Sequence, residues 1–161
     1  MILALLGVLS TAHDITPGAT RVSENVLDLQ ALGAKGFGPG GNQIFLDIET
    51  ETAATGDAAD TFEFDLAVGD AADFSGNNLS VVKVEITGYA DQRLAAAGRK
   101  ILTCELPDQV WQLAREGYRY LGLLSTISAG STVSLNAAIS PSRPRTPDNV
   151  QVTQSPVGLP G

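Results

Sequence analysis

The chain has 161 residues, 43% hydrophobic and 17% charged, a length that fits one domain or one domain with tails. Eighteen acidic against ten basic residues leave a net charge of −8 with no basic cluster, which argues against a nucleic-acid binder. A single Cys (Cys104) and a single His (His13) exclude an intrachain disulfide and an ordinary zinc site, and argue against a Ser-His-Asp hydrolase.

The first ten residues, MILALLGVLS, are apolar, but no Lys or Arg precedes them and no Ala-x-Ala site follows, unlike a signal peptide. They also fall far short of the ~20 residues that span a bilayer, so no membrane partner is expected. Residues 1–16 read as an apolar arm whose Ile2, Leu3, Leu5, Leu6, Val8 and Leu9 dock on a partner; a first strand of the core is the alternative. Deleting residues 2–9 is then expected to leave the rest folded.

Gly and Pro cut the rest of the chain into short segments. Thr16-Pro17-Gly18 and Gly36-Phe37-Gly38-Pro39-Gly40-Gly41 are turns. Ser23 to Leu29 reads as a strand. Asn42 to Thr52 alternates, with Ile44, Leu46 and Ile48 on one face and Asp47, Glu49 and Glu51 on the other. Thr61 to Gly69 alternates more cleanly, with Phe62, Phe64, Leu66 and Val68 inward. Ser75-Gly76-Asn77-Asn78 turns the chain into a strand with Val82, Val84 and Ile86 inward. Lys100 to Leu106 is the next strand, with Leu102, Cys104 and Leu106 on one face, and Cys104 reads as a small core hydrophobe. Two helical turns begin near Asp108, carry Trp111 as a core plug, and end at Gly117. Tyr118 to Ser128 changes phase, which places a bulge at Gly122. Val133, Leu135, Ala137 and Ile139 form the inward face of the last strand.

Seven or eight strands with one polar and one apolar face imply two antiparallel sheets packed together. The expected class is all-β: an antiparallel sandwich of jelly-roll type over residues 17–140, with a short helical turn and extended terminal arms. Residues 141–161 hold five of the eight prolines and few core candidates, so this tail is expected to order only on another surface, through Arg143 and Arg145 among others.

No constellation carries clear chemistry. Asp47 to Asp73 contains nine acids and no Lys or Arg. A solvated face is one reading; an acidic docking face built on Glu49, Glu51, Glu63 and Asp65 is the other. No Asp-x-Asp-x-Asp-Gly calcium loop occurs, and the Gly-rich turn precedes a strand instead of opening a helix. Neither a catalytic residue, a metal nor a cofactor is assigned. A carbohydrate-binding jelly roll is the rival reading; it requires an exposed aromatic platform or a calcium site.

The blocks MILALLGVLSTAHDIT, ENVLDLQALG, GPGGNQIFLDIETETAA, TFEFDLAVGDAADFS and RYLGLLSTISAGSTVSLNAAIS, in this order, resemble the capsid cement (decoration) proteins of tailed bacteriophages, of the Bordetella-phage type. The resemblance spans roughly residues 1–140, and the Pro-rich tail departs from it. It implies a jelly-roll protein, not an enzyme, that sits on the outer capsid surface of the virion. Its implied partners are the major capsid protein and itself, as a homodimer or trimer.

Overall fold

A computed structural model describes residues 8–15, 17–34, 36–38, 41 and 43–141. The expectations for Ile2, Leu3, Leu5, Leu6, Thr16, Pro39, Gly40, Asn42, Arg143 and Arg145 lie outside the described residues. The elements run β1 (Val8–Asp14), β2 (Arg21–Val22), β3 (Leu27–Asp28), α1 (Leu29–Gly33), β4 (Phe45–Thr55), β5 (Thr61–Gly69), β6 (Asn78–Thr87), β7 (Lys100–Glu105), α2 (Gln109–Arg115), β8 (Tyr120–Ile127) and β9 (Thr132–Ser140). They form an antiparallel β-sandwich. One sheet has the order β1-β9-β4-β7, the other β2-β8-β5-β6, with β3 also on β8.

The pairings are nested. β5 pairs with β6, β4 with β7, β2 and β3 with β8, and β1 with β9, all antiparallel. The connections 56–60 and 128–131 each carry the chain from one sheet to the other, so β4 stacks on β5 and β9 on β8. Asp60 ties these two turns together: its carboxylate accepts from the Asp57 N–H (2.6 Å) and from the buried Ser131 hydroxyl (2.6 Å). Gly56 sits at φ +147° beside it, where an added Cβ would stand 2.5 Å from the Asp60 oxygen.

Period-2 alternation puts the apolar residues between the sheets. Phe62, Phe64, Leu66 and Val68 of β5 face Leu46 and Ile48 of β4 across the sandwich, all with no exposed surface. Thr50 continues the inward face of β4; its buried hydroxyl donates to the Arg93 carbonyl at 2.7 Å, which satisfies it. Leu94, from the β6–β7 connection, is also fully buried, and its carbonyl accepts from the Ala54 N–H.

Several expectations are corrected. Residues 8–14 are not part of an arm: β1 is an edge strand of the sandwich, and Leu9, at 1% exposure, belongs to the core. Leu9 therefore cannot serve as a capsid contact, because its side chain is already enclosed. Ser23 to Leu29 is not one strand. Ser23 interrupts it: its N–H donates to the Leu123 carbonyl, its hydroxyl takes the Leu123 N–H, and the chain turns so that the Asn25 N–H reaches the Leu9 carbonyl. Asp28 then caps α1, accepting from the N–H groups of Gln30 and Ala31 at 3.0 and 3.2 Å.

Gly122 carries no bulge; β8 runs in unbroken register against β5 from Tyr120 to Ile127. Its bare Cα makes room for the Phe74 ring, whose nearest carbon would lie 2.7 Å from a Cβ there. Val82 and Val84 are only half-buried, because β6 is the outer strand of its sheet.

Candidate functional site

The four acids expected to form one docking face are split between opposite sides of the molecule. Glu49 and Glu51 point outward from β4, Glu63 and Asp65 outward from β5, and these strands belong to different sheets. A single partner surface cannot cover all four, so the expected acidic face does not exist as one surface.

Each half is also partly neutralised within the chain. On the β4 side, the Lys100 ammonium reaches Asp47 and Glu49, the latter at 2.8 Å, and the Thr103 hydroxyl donates to Asp47 at 2.6 Å. Burial disfavours the Lys100 charge, but the two carboxylates outweigh it and lift its pKa above the ordinary value. The Asn136 amide donates to Glu51. On the β5 side, Lys83 lies 2.7 Å from Glu63, which raises the lysine's pKa. Asp65 accepts from the Ser80 hydroxyl at 2.6 Å, yet burial pushes its carboxyl above the usual range.

The loop acids serve their own turns. Asp70 accepts from the main chain and the side chain of Asn77, and Asp73 from the N–H and hydroxyl of Ser75. The Asp73–Ser75 arrangement is an Asx turn, whereas Asp70 reaches across the β5–β6 connection to hold its far end. Among the described residues, no three His, Cys, Asp or Glu side chains gather so as to hold a metal ion, and no helix is long and apolar enough to cross a membrane.

Asp91 shows the strongest local pairing. It accepts from the Arg93 Nε and Nη2, both at 2.9 Å, and from the Arg93 N–H at 2.8 Å. The Arg93 guanidinium first, then the backbone bond, lower its pKa to about 2. A carboxylate held below its unfolded value stabilises the fold at neutral pH, and that contribution fades as pH falls from about 4 toward 2. Arg93→Ala should move the Asp91 midpoint most of the way back toward 3.8, read by NMR titration of the carboxyl. An unmoved midpoint would refute the pairing.

Cys104 is half-buried, and desolvation raises its thiol pKa, which suits a packing residue and not a nucleophile. Trp111 is 7% exposed and plugs the core beside Gly38, so it offers no open platform for a sugar ring. A groove of about 550 Å³ runs between α1 and α2, lined in part by Leu29, Phe37, Trp111 and Arg115. His13 lies 3.9 Å from Glu24, with its Nε2 buried and without a hydrogen bond.

The remaining feature is a corner. Val8, the first described residue, pairs with Ala138, and Ser140, the last residue of β9, pairs with Phe45. The described chain thus begins and ends on adjacent strands at the same end of one sheet. Nothing in the sequence links the two terminal segments; only the β1–β9 pairing puts their points of departure together. Comparison with family models and with curated proteins finds no match for this chain.

Proposed function

We propose that this chain is a capsid cement protein: a structural, non-enzymatic component of a phage head. In this reading it sits on the outer surface of the shell, bridges subunits of the major capsid protein, and associates with itself as a homodimer or trimer. The proposal includes the jelly-roll form. Nested pairing, in which one long antiparallel ribbon is rolled into a four-stranded and a five-stranded layer, supports that form and fits the resemblance seen in the sequence.

The observation that carries the proposal is the shared corner of β1 and β9. It gives residues 1–7, with Ile2, Leu3, Leu5 and Leu6, and residues 141–161, with Arg143 and Arg145, a common origin. One apolar and one proline-rich, cationic segment starting from one point can engage two neighbouring capsid subunits. The second contact then forms at high effective concentration, so two weak contacts act as a firm one.

The test is to add purified variants to undecorated heads and measure occupancy. Deleting residues 2–6 should cut decoration sharply while the protein stays folded. Deleting 143–161 should cut it less, since prolines lower the ordering cost but offer little apolar area. Full occupancy with both deletions would exclude the corner as the capsid contact.

A further inference from the structure

We propose that β6 is the seam of a homodimer, in which two copies pair antiparallel about a two-fold axis at Val84 and join their β2-β8-β5-β6 sheets into one. The inference rests on the self-association proposed above and is independent of the capsid reading.

β6 has ten residues and is the outer strand of its sheet. Of the other outer strands, β2 and β3 have two residues each, β1 has two register breaks against its neighbour, and β7 has six residues. The irregularity of β6 falls at Val81, between the pairs Leu66–Val82 and Ala67–Ser80, so Val82 to Thr87 is regular. Regular exposed edges are templates for another strand, and a lysine on such an edge ordinarily blocks pairing.

Here the lysine has an answer on the same strand. With the axis at Val84, Lys83 stands opposite the partner's Glu85, and Glu85 opposite the partner's Lys83. Within one copy Glu85 stands opposite Glu63, a like-charge pair that costs stability, and Lys83 is already drawn toward Glu63. The partner's lysine places a second positive charge directly opposite Glu85, whose own-chain Lys83 is bonded to Glu63.

The apolar side fits the same axis. Val82 and Val84 are half-buried at the margin of the core, and pairing sets them against the partner's Ile86 and the partner's Val84. β7, stacked over β6, carries the half-buried Leu102 and Cys104 along the same margin. Among the described residues the exposed large hydrophobics are Leu79 and Tyr89, at 39% and 41%. Leu79 lies near the start of β6 and Tyr89 just past its end, so antiparallel pairing brings each Leu79 to the end where the partner's Tyr89 stands. The seam is self-complementary, as a two-fold interface must be.

The experiment uses the full chain with Cys104→Ser. Val84→Cys should form an interchain disulfide on mild oxidation, because residues opposite each other in an antiparallel pair lie within disulfide range. Thr87→Cys, whose counterpart is elsewhere on the strand, should not. In the Val84 wild-type background, Glu85→Lys should weaken self-association about tenfold or more in sedimentation, since both cross-copy pairs become repulsive. The same change should hold or raise the melting temperature of the monomer, because the introduced amine faces Glu63. Lys83→Glu combined with Glu85→Lys should restore the dimer. A dimer that ignores Glu85→Lys and does not cross-link at position 84 refutes the seam but leaves self-association standing. A chain that is monomeric at every concentration refutes both, and leaves the capsid reading to the occupancy measurement.

Discussion

Phe64→Ala should lower the free energy of unfolding by about 3–5 kcal/mol, the range for emptying an aromatic site in a closed core. Phe64 has no exposed surface and lies at the centre of β5, flanked in register by Val84 of β6 and Ser125 of β8. Strands on both sides and the opposite sheet above leave little room for the site to collapse. Val84→Ala, on the half-buried outer strand, should cost well under half as much. Denaturant unfolding of the two variants with a shared m-value checks the comparison. A loss below about 1 kcal/mol for Phe64→Ala would mean that the two sheets are not closely packed there.

Leu9→Ala should cost about 2–5 kcal/mol, a core value and not a surface one. Leu9 is enclosed, and its carbonyl holds the Asn25 N–H, which ties the β2–β3 connection to the opposite sheet. Deleting residues 2–9 removes this plug as well as any arm, so it should abolish or strongly depress the thermal transition. Deleting residues 2–6 should leave the melting temperature nearly unchanged. The pair of deletions separates strand from arm: equal melting temperatures for both would show that Leu9 does not support the core.

Much of the fold was legible because alternation is a local signal. Thr61 to Gly69 is a strand with the bounds read from the sequence, and β9 and α2 fall within a residue or two of expectation. The split of β2 from β3 was not legible, because Ser23 replaces a main-chain partner with its hydroxyl, and only the fold shows which N–H it serves. Leu94 gave no periodic cue; it is a lone leucine among small and polar residues, buried because the connection folds back over Thr50. Alternation tells inward from outward but does not tell which sheet a strand joins. For that reason Glu49 and Glu63 read as one face and stand on two.

The order of strands also constrains when the molecule can close. β8 lies between β2 and β5, and β9 lies between β1 and β4, so the last two of the described strands to leave the ribosome occupy the middle of both sheets. The β5–β6 hairpin can form early, and β7 can add to β4, but each sheet has a vacant slot until residues 120–140 arrive. A nascent chain stopped at Gly117 would present unpaired edges from β1, β2, β4 and β5 at once, the condition that invites wrong pairing between chains. Folding dominated by such distant contacts is slow, and release of residues 120–140 sets its earliest start.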